Sequence, residues 1–371
     1  MKPKSHPLQH LKRAVFLFGV LTWVSFAQDP AKPTRMWSVG PLTKGEPVMG
    51  IAFGRGGATL TGPHVDSQTD STFAATRSVV FAGDRIVLAS KVGTRTVEGA
   101  QIPAGVYQLL SLDVQTGEVK NTREFLAFGS LQVFATSDAH VIVSGRDLVR
   151  LTPVLEDAGA FDYHASGHKF GNVENMSPDG STLGNATSPG FELVDSRTLK
   201  ATELTASPAV ATSVSGKGFV TDNVHWIRDY PRDLGFVTYV DAAGSHLLYH
   251  GKCGGRPQFL NDDLVLEPGC KAPFILDTHG NVIRTLSVKG AFSFAGVSQN
   301  GKRLALQVAS SSAGHSLTQE WFFIFSIQTG ESVAEVEPAT PGEEQSWTAF
   351  SPDGSMIVVG SPLKLTLYRL P

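Results

Sequence analysis

The segment His225-Trp226-Ile227-Arg228-Asp229-Tyr230-Pro231-Arg232-Asp233 gathers residue types that dominate binding hot spots. His225, Trp226, Arg228, Asp229, Tyr230 and Arg232 form the candidate binding loop. The competing reading packs Trp226 into the core and pairs Arg with Asp at the surface. His64, Asp66 and Asp70 lie in a polar stretch, Thr61 to Thr72. Carboxylates at that spacing suit calcium, but the glycine-centred calcium-loop pattern is missing. A solvated loop is the stronger reading. His164 and His168 flank Ala165-Ser166-Gly167, with Asp162 and Tyr163 adjacent, and no third metal ligand is indicated. His246 and His250 flank Leu247-Leu248-Tyr249. On a strand they lie about 13 Å apart, too far to share one zinc ion. No Gly-x-Ser-x-Gly elbow, His-Glu-x-x-His or phosphate-loop signature occurs. The residues therefore nominate no catalytic group, no metal ligand set and no cofactor.

These side chains need elements to hold them, and the chain repeats. A short apolar strand, a tight polar turn and a second apolar strand recur at Phe81, Phe134, Met176, Val214, Phe259, Val297 and Phe350. The mean step between the first and last of these is about 45 residues, the length of a four-stranded propeller blade. The turns explain the recurrence. In Ser177-Pro178-Asp179-Gly180 and Ser351-Pro352-Asp353-Gly354, proline presets the first corner and glycine takes the left-handed position. A second marker agrees. Gln115-Thr116-Gly117-Glu118 and Gln328-Thr329-Gly330-Glu331 each follow an apolar strand, and weaker copies follow Phe274 and Phe191. These read as third strands turning into fourth strands. The predicted fold is all-β: one seven-bladed propeller over residues 28–371.

The Ser-Pro-Asp-Gly and Asp-x-x-Thr-Gly turns resemble those of bacterial extracytoplasmic β-propellers of the WD-repeat-like and TolB-like kind. The resemblance covers most of the chain and implies architecture more than activity. No Trp-Asp dipeptide closes any blade. Quinone-cofactor propellers follow a similar turn with tryptophan, whereas Glu118 and Glu331 open runs without one. The last marker lies 21 residues from the C-terminus, leaving no room for a fourth strand. Arg35-Met36-Trp37-Ser38-Val39 is the expected donor, so the chain ends would share one blade. Ile51-Ala52-Phe53 and Ala58-Thr59-Leu60 read as an extra hairpin, an insertion or the trace of an eighth blade.

The N-terminus reads as an address. Lys2, Lys4, Lys12 and Arg13 precede an apolar run, Ala14 to Val24, which ends in small residues at Ser25 and Ala27. That is the order of a signal peptide, residues 1–27. The run is too short to span a membrane. Removing it takes away four cations and no acid, moving the formal charge from −3 to −7. A mildly acidic surface disfavours nucleic acid and anionic lipid. Cys253 and Cys270 are the only cysteines, they flank a predicted hairpin, and their spacing is not that of a redox or zinc pair. A disulfide is expected.

The 371-residue chain has 18% charged residues and 38 glycines, too apolar for disorder and too poor in helix formers for a bundle. The expectation is a bacterial periplasmic or secreted monomer. It would bind an envelope or extracellular protein or a small ligand. The competing class is a propeller enzyme, of lactonase or glycan hydrolase or lyase type, with its site at the channel mouth.

Overall fold

The computed structural model describes residues 32–40, 51–54, 57–60, 78–97, 103–127, 131–145, 148–161, 172–186, 191–205, 211, 213–222, 235–251, 256–267, 272–310, 319–337, 347–360 and 364–371. Every regular element among them is a β-strand, so no helix there is long and apolar enough to cross a membrane. Seven sheets have four antiparallel strands each. Blade 1 runs from Ser78 to Ala127, blade 2 from Gln132 to Phe161 and blade 3 from Asn172 to Thr205. Blade 4 runs from Ser213 to Gly251, blade 5 from Gln258 to Thr285 and blade 6 from Ala291 to Val336. Within each, sequence order is spatial order, a to d. Blade 7 takes strands a to c from Trp347–Phe350, Met356–Gly360 and Leu365–Arg369. Its strand d is Thr34–Val39, from the other end of the chain. The fold is a seven-bladed β-propeller.

All seven sequence markers lie on the a strands. The Gln-Thr-Gly-Glu pairs sit at the c–d turns of blades 1 and 6, five blades apart. The extra hairpin exists as well: Ile51–Gly54 pairs with Gly57–Leu60. It pairs with no blade, so it adds no eighth.

A radial sheet has two faces to bury, and alternating side chains feed both. The core is accordingly divided among the seams. One apolar cluster lies at each of the seven contacts between neighbouring blades. The a strands of neighbouring blades also meet, which places them innermost around the axis.

Turn chemistry fixes strand register. Asp195 ends strand c of blade 3, and its Oδ1 accepts from the N–H groups of Arg197 and Thr198 and from the Thr198 hydroxyl, at 2.7 to 3.0 Å. Asp113 in blade 1 and Asp277 in blade 5 do the same job with Gln115 and Thr116, and with His279 and Asn281. Gly117 follows with φ of 72°. Blade 3 uses Leu199 there at φ 55°, an uncommon conformation for a branched apolar residue.

The Thr198 amide, above all, holds the Asp195 carboxyl below its ordinary value of 3.8. A lowered folded-state pKa stabilises above the unfolded value, and that stability is lost as pH falls through the folded one. Asp195→Asn should therefore lower stability at neutral pH by about 1 kcal/mol, given its exposure. The deficit should shrink towards zero as pH falls below 3.8. Urea unfolding at the two pH values measures it.

Candidate functional site

The meander gives the ring two unlike faces. All a–b and c–d turns lie on one, and all b–c and d–a connections lie on the other. Four of the seven a–b turns share one arrangement. Ser177 donates to Asp179 Oδ1 at 2.5 Å while Asp179 accepts from Ser181. Ser351, Asp353 and Ser355 repeat the arrangement in blade 7. Ser298 and Asn300 do so in blade 6, and Thr136 and Asp138 in blade 2. Asp138 also pairs with the buried Arg150 guanidinium. These polar side chains are consumed in holding turns.

The same turns stitch neighbouring blades. The Ser137 N–H donates to Gly180 O at 3.0 Å, joining blades 2 and 3. The Gly216 N–H donates to Asp262 at 2.9 Å and Lys217 Nζ to Asp263 at 2.7 Å, joining blades 4 and 5. Asn300 donates to Pro352 O and Asp353 O, joining blades 6 and 7.

One contact crosses the axis. Gln299 Nε2, from blade 6, lies 3.4 Å from both Ala135 O and Thr136 O of blade 2. Blades 2 and 6 are not neighbours, so this side chain spans the channel mouth. Gly180 of blade 3 meets it there. A β-carbon at Gly180 would lie 2.7 Å from Ala135 O and 2.8 Å from both Gln299 Nε2 and Ser137 N. Three blades converge on one point, and the turn end of the channel is filled by protein. Sequence reasoning passed over Gln299 as one more turn residue. The available signal was its position, because it stands where Ser177-Pro178 and Ser351-Pro352 carry proline.

The innermost strands explain the polar residues along the channel. Thr348 donates to Ala295 O at 2.8 Å, and Asn175 donates to Ala211 O at 3.2 Å. The Phe259 N–H donates to Ser213 Oγ at 3.0 Å. Each bond joins an a strand to its neighbour and satisfies a backbone group on an edge that no ladder reaches. Among these seven strands the only ionisable residue is Glu174.

Polarity rises towards the loop face. Four b strands carry a polar residue after an apolar start: Leu183 to Asn185, Phe219 to Thr221, Leu264 to Glu267, Leu304 to Gln307. Asn185, Thr221 and Glu267 are buried. Asn185 Nδ2 donates to Glu192 Oε2 at 3.1 Å, and its Oδ1 has no partner. Buried polar groups cost free energy unless bonded, and Thr221, Glu267 and Gln307 each have a partner.

The residues singled out in the sequence fall as follows. His225, Trp226, Arg228, Asp229, Tyr230 and Arg232 lie outside the described residues, in the b–c connection of blade 4. His64, Asp66, Asp70, Asp162, Tyr163, His164 and His168 also lie outside them, in d–a connections. Cys253 and Cys270 lie outside them too. The hairpin between the cysteines is present, Gln258–Asn261 paired with Leu264–Glu267. His246 and His250 are on strand d of blade 4, away from the axis of the loop face. His246 stacks on Tyr239 with centroids 6.2 Å apart, and His250 on Phe236 at 4.5 Å. A register shift between Val237 and Thr238 makes Leu248 an extra residue between them. Among the described residues no cluster of three metal-binding side chains occurs.

No protein-family model and no curated protein matches the chain. Among solved structures, the crystal structure of the C-terminal WD40 domain of Sif2 is similar in fold. It shares 11% identity with a TM-score of 0.43, over 78% of this chain and 91% of that one.

The axial convergence can be tested by comparing two glycines. Gly180 and Gly83 both sit in a–b turns with positive φ, but a β-carbon at Gly83 would meet only Ala139 Cβ, at 3.5 Å. Gly180→Ala should lose about 1 to 3 kcal/mol more stability than Gly83→Ala, the penalty of overpacking. Paired denaturant melts decide it, and equal losses would mean the convergence carries no load.

Proposed function

We propose that the chain is an exported binding module whose loop face receives an envelope or extracellular protein or a small ligand. One observation carries the reading. The turn face is committed to structural hydrogen bonds and its axis is spanned by Gln299, so the opposite face is left for recognition. That face also has the variation recognition needs. Strands b and c of blade 2 are joined by residues 145–147, those of blade 4 by residues 223–234. Function concentrates on loops held by a rigid scaffold. The longer of these connections holds Trp226, Arg228, Tyr230 and Arg232. The buried polar ends of the b strands support the same side. An enzyme working at the channel wall would need several converging His, Asp or Glu groups there. Glu174 is the one such residue on the innermost strands, which favours binding over catalysis.

Export follows from the charged, apolar and small segments of residues 1–27. In an oxidising compartment Cys253 and Cys270, whose sequence positions bracket the Gln258–Asn261/Leu264–Glu267 hairpin, would form a disulfide. The likeness of the turns to TolB-like propellers agrees with a bacterial envelope role, as a monomer without cofactor. Intact mass spectrometry of the protein recovered from a producing cell tests this. The expected species begins at Gln28 and is two hydrogen atoms lighter than its reduced form. A chain that keeps residues 1–27 would overturn export.

For binding, the test is in-cell crosslinking of the tagged protein followed by identification of what co-purifies. One or two envelope proteins should recur. The Trp226→Ala, Arg228→Ala double variant should reduce their recovery about tenfold or more, as loss of a hot spot does. Its melting temperature should stay within a few degrees of the parent. Unchanged recovery would remove this loop from the interface.

A further inference from the structure

The outer rim of the ring holds a second feature, independent of the loop face. Among the described residues, strand d of every blade has one edge without a ladder partner, which invites pairing with foreign chains. Natural sheets protect such edges with charge or proline. Six blades do so with charge. Lys120, Arg123 and Glu124 lie on strand d of blade 1, Asp157 on blade 2 and Glu203 on blade 3. Arg284 lies on blade 5, Glu335 on blade 6 and Arg35 on blade 7. Strand d of blade 4 is the exception. Gly244-Ser245-His246-Leu247-Leu248-Tyr249-His250-Gly251 contains no Asp, Glu, Lys, Arg or Pro.

The surroundings of that edge are apolar on one side and acidic at one end. Leu247 is 59% exposed, and the next blade's outer strand presents Val282 at 58% and Ile283 at 45%. The two strands are drawn together at Gly280, whose φ is 85°. A β-carbon there would lie 2.5 Å from Leu248 O, so only glycine admits the approach. At the turn end stands Asp241, with Oδ1 3.5 Å from His246 Nε2. Tyr239, whose hydroxyl is pushed up to about 12, mainly by burial, stacks on His246 beside it.

We propose that Gly244–Leu247 receives an extended segment of a partner protein as a fifth strand of blade 4. The segment would carry aliphatic side chains towards Leu247, Val282 and Ile283 and a Lys or Arg beside Asp241. Backbone pairing supplies affinity in this mode, and alternate side chains supply selectivity. The acidic end sets the sign of the partner's charge. A second copy of this chain fits less well. A two-fold pairing centred on this strand would oppose two Leu248 bulges, where each ladder breaks.

A labelled peptide of about ten residues, alternating Lys and Val, is the probe. Its fluorescence anisotropy is followed as full-length protein is added. Saturable binding is expected, weakened at least tenfold by Leu247→Lys, which gives this edge the protection of the others. A peptide of the same sequence with alternate backbone nitrogens methylated should lose binding to the same degree. Leu247 is exposed, so its variant should melt with the parent. Equal binding of the methylated peptide would overturn the proposal by reducing the effect to net charge. Equal binding by Leu247→Lys, or no saturable binding, would also overturn it. So would a dimer in sedimentation that Leu247→Lys dissolves, since the occupant would then be a second copy. The Trp226→Ala, Arg228→Ala variant should bind the peptide as the parent does, so failure at the rim is separable from failure at the loop face.

Discussion

The ladder between Thr34–Val39 and Leu365–Arg369 is the contact on which the ring depends. Each blade can bury its two faces only against neighbours, as repeat architectures do. An open array would leave two faces bare. The N-terminal strand closes the array and also grips the next blade. Trp37 Nε1 donates to Val114 O of blade 1 at 2.7 Å. Its ring would come within 2.8 Å of a β-carbon at Gly117, so this turn fits because it has none. Met36, Trp37 and Val39 pack on the cluster shared by blades 7 and 1. Strand d of blade 7 thus secures a seam that no short-range contact could close.

Closure also explains how the polar groups are divided. A ring sealed by tight turns has to satisfy many backbone groups at small radius. The Ser, Asp and Asn side chains of the a–b turns do this on one face, and Gln299 completes it at the axis. Along the channel wall, Thr348, Asn175 and Ser213 satisfy the edge groups of neighbouring a strands. Those residues therefore have a structural reason to be polar. The buried ends of the b strands are different. They serve no turn, and Asn185 Oδ1 lacks a partner altogether.

The architecture was legible because it is written locally and repeatedly. Ser-Pro-Asp-Gly sets two corners of a turn by itself, and seven spaced strand–turn–strand units count the blades. The fourth strand of blade 7 could be inferred from the shortage at the C-terminus. The site was less legible for a physical reason. A propeller assembles its surfaces from residues about 45 positions apart, one or two per blade, so no contiguous motif records them. Gln299 shows this well. Its reach to Ala135 and Thr136 follows from ring geometry, and its sequence neighbours give no hint of it. His246 and His250 show the converse. Their spacing was informative, and the strand keeps them on separate aromatic partners, Tyr239 and Phe236.

Edge protection connects these levels. Closing the ring removes the end faces of the array but not the outer edges, because every strand d remains a potential template. Charges on six of those strands add little to folding stability at the surface. Their effect is on association, where a charge set against an incoming strand costs most. A sequence that protects six edges and leaves the seventh bare differs in what it excludes. Leu247, Val282 and Ile283 are exposed beside that bare edge, where burial by a partner would return the free energy that folding left unused. Selection for stability alone would replace such residues with polar ones at little cost, so their retention on the strand that lacks charge argues for contact with another chain.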